Sequence, residues 1–232
     1  MSEPILSLII PAAGAGKRME SITPKPYLML GDKLVLEHTL LCFSSLENLK
    51  QVVVSTSESY RKLTEKMLSR IFPDVETKVV LGGKERQNSI SNALEWVDES
   101  IDFVIIHDAV RPFVTPTLIC ECVERAGEAG GAIAGVRVKD TIKEVNPDLK
   151  IIKTPNREML WQAQTPQVFE RNLLIEAYNN SADKKISGTD DASLIELIGG
   201  TVVIVDGDRQ NFKLTYPLDF SIAEMLMKNQ EK

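Results

Sequence analysis

Residues 14–19, GAGKRM, directly follow an apolar run and combine the residue types that bind phosphate. Glycines let successive backbone N–H groups turn toward an anion, and a lysine and an arginine add positive charge. A few residues on, the run PKPYLML sets Lys25 between two prolines, which hold its backbone extended and away from helix. Glycines after a strand indicate only a turn, but glycines accompanied by Arg18 and Lys25 predict a phosphate-binding loop.

Three kinds of protein build such loops, and the neighbouring residues argue against two of them. A Walker-type loop needs GxxxxGK followed by Ser or Thr, but Pro11 stands at its first glycine and Arg18 follows Lys17. A dinucleotide fingerprint needs GxGxxG, and Met19 occupies the third glycine position. The remaining kind is a nucleotidyltransferase loop, in which backbone N–H groups of residues 13–17 surround nucleotide phosphates.

Two further runs carry charged residues beside predicted elements. Asp108 and Arg111, in HDAVRPF, follow an apolar strand at the edge of the sheet where open α/β folds bind ligands. They predict a site for a second substrate and its hydroxyls, with a structural ion pair as the alternative. Gly83, Arg86 and Ser89 belong to a glycine turn that leads into a helix, although a turn and a helix cap explain the same residues.

The elements that must position these residues follow an alternating pattern. Short β-branched runs alternate with segments of helical period. The predicted strands are LSLII, QVVVST, TKVVL, DFVIIH, GAIAGV and TVVIV. The predicted helices are LVLEHTLLCF, SYRKLTEKMLSRIF, RQNSISNALEWV, TPTLICECVERA, RNLLIEAYNN and DDASLIELIG. This pattern predicts a Rossmann-like, doubly wound, mostly parallel α/β sheet with helices on both faces.

The segment from about 139 to 157 breaks this alternation. Two short strand-like halves flank Asn146, Pro147 and Asp148, which are turn residues, so the segment predicts a protruding β-hairpin. An isolated two-stranded hairpin is marginal in water, so we expect this arm to rest on a second subunit. The expected organisation is a single domain over 1–232 with the arm inserted.

Composition limits the possible partners. The 232 residues are 43% hydrophobic and 26% charged, with 33 acidic and 27 basic residues and a net charge of −6, which argues against general nucleic-acid binding. No apolar run approaches the ~20 residues that cross a bilayer, and the start lacks a secretory signal pattern, so we expect a cytoplasmic protein. Cys42, Cys120 and Cys122 have no zinc-site spacing and predict neither a metal site nor a disulfide framework.

The motifs together resemble one family. PAAGAGKRM followed by PKPYLML is similar to the signature of the 2-C-methyl-D-erythritol 4-phosphate cytidylyltransferases, within the larger family of sugar-phosphate nucleotidyltransferases. Matching runs follow in order and spacing: GGKERQNSI, HDAVRPF, KDTIK, NREMLWQAQTPQVF, GTDDAS and NFKLTYPLD. The resemblance implies transfer of CMP from CTP to methylerythritol phosphate, with pyrophosphate released, in isoprenoid precursor synthesis.

Alternatives to this reaction stay open at this point. A ribitol-5-phosphate cytidylyltransferase has closely similar loops. From other classes, a P-loop-like NTPase or a non-catalytic nucleotide-binding module would also bind a nucleotide. The resemblance further implies a homodimer through the arm and a need for Mg²⁺, which the CTP phosphates would mainly hold, so no protein metal ligands are expected.

The resemblance also implies a role for each matching residue. The catalytic cations would be Arg18, Lys25 and Lys213. The nucleotide-binding residues would be Ala12, Ala13, Gly14, Ala15, Gly16, Lys17, Gly83, Arg86 and Ser89, with cytosine read by Gly83, Ser89 and the backbone around Ala12 and Ala13. The acceptor-binding residues would be Asp108, Arg111, Thr141, Arg157, Thr165 and Thr189, with Thr141 and Arg157 acting in the neighbouring subunit's site.

Overall fold

A seven-stranded sheet organises the chain in the computed structural model, which describes residues 3–14 and 23–230. The strands are β1 (Leu6–Pro11), β2 (Met29–Leu30), β3 (Lys33–Leu34), β4 (Leu49–Thr56), β5 (Glu76–Leu81), β6 (Phe103–Ile106), β7 (Gly131–Arg137), β8 (Glu144–Val145), β9 (Ile151–Lys153), β10 (Trp161–Glu170) and β11 (Val203–Asp206). The helices are α1 (Val35–Leu41), α2 (Arg61–Ile71), α3 (Arg86–Leu94), α4 (Pro116–Ala129), α5 (Arg171–Lys184), α6 (Asp191–Leu197) and α7 (Pro217–Gln230).

The strand order in the sheet is β11-β7-β10-β6-β1-β4-β5. Strands β6, β1, β4 and β5 pair in parallel, as do β7 and β11, whereas β10 runs antiparallel to both of its neighbours. The predicted Rossmann-like, mostly parallel sheet is therefore confirmed. Its parallel part brings the carboxyl ends of β1, β5 and β6 to the same edge.

Side chains of the central strands pack on both faces of the sheet. In β1, Leu8 and Ile10 join a cluster that includes residues of α1, α2 and α4, while Ile9 joins a second cluster with residues of α3, α5 and α6. Successive side chains of a strand point to opposite faces, so a continuous apolar strand requires a helical layer on each side. The prediction of helices on both faces is thus confirmed.

Strand β10 was not predicted from the sequence. Its ten residues include Pro166 and the buried polar side chains Gln164, Thr165 and Gln167, which mask the apolar signal of a central strand. The ladder to β7 shifts register between Ala163 and Gln167, and such an irregularity accommodates a proline that cannot donate a ladder hydrogen bond.

The predicted hairpin arm is present. Strands β8 and β9 pair antiparallel, with Glu144 opposite Lys153. The Asn146 side-chain oxygen accepts from the backbone N–H groups of Asp148 at 3.1 Å and Lys150 at 2.9 Å, which closes the turn locally. Among the helices within residues 3–14 and 23–230, none has the length and apolar character needed to cross a membrane.

Candidate functional site

A cleft of about 370 Å³ opens beyond the carboxyl ends of β1, β5 and β6. Open α/β sheets bind ligands at this edge because the loops that follow parallel strands meet there. The cleft is lined by Pro11, Ala13, Gly14, Lys25, Pro26, Gly83, Lys84, Glu85, Arg86, Ser89, Asp108, Ala109, Val110 and Lys213. The predicted nucleotide and catalytic residues Ala15, Gly16, Lys17 and Arg18 lie outside the described residues.

The turn after β5 forms one wall of the cleft and requires glycine. A Cβ atom at Gly82 would lie 2.1 Å from the Ala13 Cβ, and one at Gly83 would lie 2.2 Å from the Asn88 Cβ. Any larger residue would have to push these segments apart. The two glycines therefore bring the start of α3 against the end of β1, where a nucleotide base can approach the backbone.

Ser89 fixes the shape of this turn. Its hydroxyl donates to the Glu85 carbonyl at 3.1 Å and accepts from the Gly83 N–H at 3.0 Å. A hydroxyl oxygen has two acceptor sites, so one remains for a donor on a ligand. The predicted contact of Ser89 with a base is thus compatible with its position in the cleft wall.

Asp108 also lines the cleft and lies between three cations. Its carboxylate is 3.2 Å from Arg86 Nε, 3.1 Å from Arg111 Nε and 3.1 Å from Lys213 Nζ. Burial by itself would raise the pKa of Asp108, but the charges of Lys213, Arg86 and Arg111 outweigh it and hold this pKa well below its ordinary value. The carboxylate is therefore ionised at any physiological pH.

Arg86 connects this cluster to the start of α6. Its Nη2 lies 2.8 Å from the buried carboxylate of Asp191, which also accepts from the Tyr178 hydroxyl at 2.6 Å. Burial and the Asp191 charge raise the pKa of Tyr178 well above its ordinary value, which keeps the hydroxyl protonated as a donor. The sequence pattern did not identify Asp191 or Tyr178. The signal that could have identified Asp191 was the pair of aspartates at the start of a helix. Asp190 serves as the N-cap, so the second aspartate is available for another contact.

Lys25 corrects two expectations. A lysine on a loop is expected to be exposed, but Lys25 is only 7% exposed, and instead of an extended backbone it begins a 3-10 turn over Lys25–Tyr27. The backbone is extended at Pro24, but Pro26 fits inside the turn because the first N–H groups of a helical turn have no partner to lose. Lys25 Nζ donates to the Thr215 carbonyl at 2.6 Å.

The segment 211–215 holds the charged side chains from the far side of the cleft. Three alternate residues contribute: the Asn211 carbonyl accepts from Arg111 Nη1 at 2.8 Å, Lys213 pairs with Asp108, and the Thr215 carbonyl accepts from Lys25. The intervening Leu214 is buried, and its N–H donates to the Val110 carbonyl at 2.9 Å. Two backbone carbonyls and one side chain of this segment therefore contact the charged residues of the site, while Leu214 packs into the interior.

Comparisons with known proteins point to the same family as the motifs. The family model described as IspD, 2-C-methyl-D-erythritol 4-phosphate cytidylyltransferase, matches residues 6–229. The chain belongs to this family. A protein of that name from Alkaliphilus metalliredigens is 39% identical over 98% of this chain and 94% of its own length, and one from Clostridioides difficile is 40% identical over 97% and 94%. The solved 4-diphosphocytidyl-2C-methyl-D-erythritol synthase from Anaerococcus prevotii superposes with a TM-score of 0.86 at 28% identity, covering 97% of this chain and 96% of that one.

Within this IspD-family fold, several predicted acceptor residues do not line the cleft. Thr141 and Arg157 lie exposed on or beside the arm, where Arg157 Nη1 donates to the Lys139 carbonyl at 3.3 Å. Thr189 is exposed in the loop before α6 and borders a small hollow next to Arg86.

Two other predicted residues are buried beside the cleft. Ala12 is buried immediately after β1. Thr165 is 3% exposed, and its hydroxyl is within 3.0 Å of both His107 Nδ1 and the Asp108 N–H. Unlike Ser89, Thr165 is not among the residues that line the cleft, so its expected direct contact with the acceptor stays a prediction.

Proposed function

We propose that this chain transfers CMP from CTP to 2-C-methyl-D-erythritol 4-phosphate and releases pyrophosphate, as a Mg²⁺-dependent homodimer. The observation that supports it is that one cleft is lined by two different groups of residues. One group is the narrow glycine turn with Ser89, suited to a base, and the other is Asp108 with Lys213 and Arg86. A nucleotide and an anionic polyol can therefore meet in one cavity.

The reaction needs no protein base. A phosphate monoester has a second pKa of about 6, so its oxygen is largely dianionic at neutral pH and can attack the α-phosphorus of CTP. A new P–O bond forms to the α-phosphorus, and the bond to the β-phosphate bridging oxygen breaks. Lys25 and Lys213, with Arg18 from outside the described residues, would stabilise the charge that gathers there.

Asp108 suits the orientation of substrate hydroxyls. A carboxylate offers about four acceptor sites, and its contacts with Arg86, Arg111 and Lys213 use three of them. The site that is left over can accept from a polyol hydroxyl. We propose that Arg157 and Thr141 complete the acceptor site from the partner subunit, which fits their exposure on the arm.

The residues that line the cleft are compatible with a Mg²⁺ ion that enters already bound to the triphosphate of CTP. In the part of the chain that the structure describes, no group of three or more His, Cys, Asp or Glu side chains could hold a metal ion, and three cations already surround Asp108. Mg²⁺ commonly binds through substrate phosphates with few protein ligands. When bound, it neutralises phosphate charge. Within the same proposal, 1–232 acts as one cytoplasmic domain with the arm at about 139–157.

The decisive test is an assay of purified protein with CTP, Mg²⁺ and either methylerythritol phosphate or ribitol 5-phosphate. We expect pyrophosphate and the cytidylyl product with the first acceptor only. Turnover with ribitol phosphate alone would favour the related cytidylyltransferase, and release of inorganic phosphate or CDP would favour an NTPase. Binding of CTP without turnover on either acceptor would leave only a nucleotide-binding module.

The nucleotide preference is a second prediction from the same cleft. CTP should be used in preference to UTP, because a site that pairs with the amino-bearing edge of cytosine leaves buried groups unpaired with uracil. ATP should be excluded by the narrow turn at Gly82 and Gly83. Competition assays that measure kcat/KM for each nucleotide check this, and similar values for all three would contradict the proposed base site.

A further inference from the structure

A fully buried histidine lies directly before Asp108. His107 is 0% exposed, and its ring bridges two segments of the fold. Nε2 lies 3.0 Å from the Arg111 carbonyl oxygen, and Nδ1 lies 3.0 Å from the Thr165 hydroxyl. The Phe43 ring packs edge-on against the imidazole at 5.1 Å. Burial lowers the pKa of His107 to about 4, so the ring is neutral at physiological pH.

The partners of the ring determine its tautomer. A carbonyl oxygen can only accept, so Nε2 must carry the proton that it donates to Arg111. In a neutral imidazole Nδ1 is then an acceptor, and the Thr165 hydroxyl donates a hydrogen bond to it. The Thr165 oxygen in turn accepts from the Asp108 N–H at 3.0 Å. Each of these three hydrogen bonds therefore has one possible direction.

This hydrogen-bonded chain encloses the turn that carries both charged residues. It begins at the Asp108 N–H and ends at the Arg111 carbonyl, while the Arg111 N–H donates to the Asp108 carbonyl at 3.2 Å within the turn. Asn211 fixes Thr165 in turn, because its side-chain amide donates to the Thr165 carbonyl at 2.8 Å. The backbone of this turn is thus held from the His107 side and from the Asn211 side, independently of the three ion pairs of the Asp108 side chain.

We propose that His107 is a positioning residue for the acceptor half of the cleft. Through Thr165 and the Arg111 carbonyl it holds in place the Asp108 carboxylate, which lines the cleft, and the Arg111 guanidinium, which pairs with that carboxylate. This inference rests on the proposed function. It concerns the acceptor rather than CTP, because the bridge restrains the turn after β6 and contacts neither Gly83 nor Ser89. Arg86 pairs with Asp108, but it is also held by Asp191 at 2.8 Å.

The kinetic test uses His107→Phe, which keeps the ring volume and removes both hydrogen bonds, and Thr165→Val, which removes only the hydroxyl. Both should lower kcat/KM for methylerythritol phosphate by about 10- to 100-fold while KM for CTP stays within about twofold, because misplacement near 1 Å has effects of this size. The double variant should be no worse than the poorer single variant, since both break one chain of contacts. Thr165→Ser should recover most of what Thr165→Val loses.

A matched control separates positioning from loss of stability. Gln51 is a buried polar residue of the same sheet whose amide bonds Ser7 at 3.2 Å and the Trp96 carbonyl at 2.9 Å, toward the opposite strand ends. Gln51→Leu should lower the thermal unfolding temperature and leave the ratio of the two KM values unchanged. The inference is overturned if His107→Phe behaves like Gln51→Leu, or if the double variant shows additive losses.

An independent readout does not require activity. The chain has two histidines, His38 and His107, so ¹⁵N chemical shifts of the imidazoles are assigned with one variant, His38→Gln. At neutral pH, His107 should show a protonated Nε2 and a bare Nδ1. A charged ring or the opposite tautomer would refute the bridge. If the wild-type protein does not turn over CTP, the proposed function fails, and the tautomer result still decides the bridge.

Discussion

At the scale of single residues, Lys25 is both a cation of the cleft and a buried structural contact. Lys25→Met keeps most of the side-chain volume and removes the charge. We expect turnover to fall by about 100- to 1000-fold, the usual loss when one charge-stabilising donor is removed. Thermal stability should fall as well, because Lys25 is buried and its Nζ donates a hydrogen bond to the Thr215 carbonyl, which the variant would leave without this donor. Pyrophosphate release and thermal unfolding measure the two effects separately.

Lys33 provides the matched control for this variant. It lies eight positions downstream, forms an ion pair with its neighbour Asp32 at 2.6 Å, and does not line the cleft. Lys33→Met should change neither rate nor stability appreciably, because exposed pairs contribute little. A folded Lys25→Met protein with the wild-type rate would remove Lys25 from the mechanism.

His107 also predicts a pH dependence of stability. Its ring faces Asp108, Arg111 and Arg86, but burial dominates and lowers the pKa from 6.5 in the unfolded chain to about 4. The unfolded state then takes up the proton first, so this contribution is complete above pH 6.5 and is lost as the pH falls toward 4. Its full size is on the order of 3 kcal/mol.

Urea unfolding of wild-type protein and His107→Phe between pH 4 and 7.5 tests this dependence. The wild-type free energy of unfolding should fall more steeply with decreasing pH, because the variant has no ring to protonate. The stabilising contribution of Asp108 is complete above its ordinary pKa of 3.8 and is lost only as the pH falls below that value, because its pKa is lowered in the folded protein, so it adds little slope to either curve over this range. Parallel curves over this range would mean that His107 does not titrate as described.

The charged residues that belong to recognisable motifs could be identified from the sequence. Asp108, Arg111 and Lys213, all singled out from motifs, lie in one charged cluster, and the Asp108–Arg111 pair is the ion pair given as the alternative to a substrate site. Asp191 and Asn211 were missed as members of this cluster. Their partners Arg86 and Arg111 are 105 and 100 positions away, so no local pattern connects them. Roles that arise from contacts between distant segments require the fold.

At the scale of elements, strand β10 shows why one central strand escaped prediction. Its Gln167 side chain accepts from the N–H groups of Asp191 at 3.1 Å and Ala192 at 3.2 Å, so a polar residue in the sheet serves the start of α6. Buried polar groups are normally satisfied in this way. Strand β10 therefore lacks the apolar pattern by which the other strands of the seven-stranded sheet were predicted.

The glycine turn before α3 gives the prediction at this scale. Gly83→Ala would place a Cβ 2.2 Å from the Asn88 Cβ and 3.1 Å from its backbone carbon, so the turn must shift and weaken the bond to Ser89. We expect kcat/KM for CTP to fall on the order of 100-fold, as for a displacement near 1 Å. Steady-state kinetics with each substrate varied in turn measure this effect.

Gly127 within α4 is the matched glycine. A Cβ there would meet no atom within 4 Å, and the residue lies inside a helix. Gly127→Ala should leave both KM values unchanged and stabilise the fold by about 0.5 to 1 kcal/mol. Equal kinetic behaviour of the two alanine variants would show that the turn does not shape the nucleotide site.

At the scale of the whole molecule, the alternating pattern predicted the layers but not the order of the strands. Apolar side chains remain exposed on the arm, with Leu149 at 80%, Ile151 at 62% and Ile152 at 60% exposure. Such a hairpin is marginal by itself, and a second copy of the chain would cover it. Subunit exchange can therefore test whether the arm completes a neighbouring site.

The last prediction uses two inactive variants, Arg157→Ala and Lys25→Met, whose defects would fall in different sites of a mixed dimer. If Arg157 binds the acceptor phosphate across the interface, one site of each mixed dimer carries both lesions and the other carries neither. Arg157→Ala by itself should raise KM for methylerythritol phosphate far more than KM for CTP, because a guanidinium binds phosphate with two parallel hydrogen bonds. After random exchange about half of the dimers are mixed, which gives roughly a quarter of wild-type activity for a symmetric dimer. Mixed dimers verified by mass spectrometry but devoid of activity would show that Arg157 acts within its own subunit or not at all.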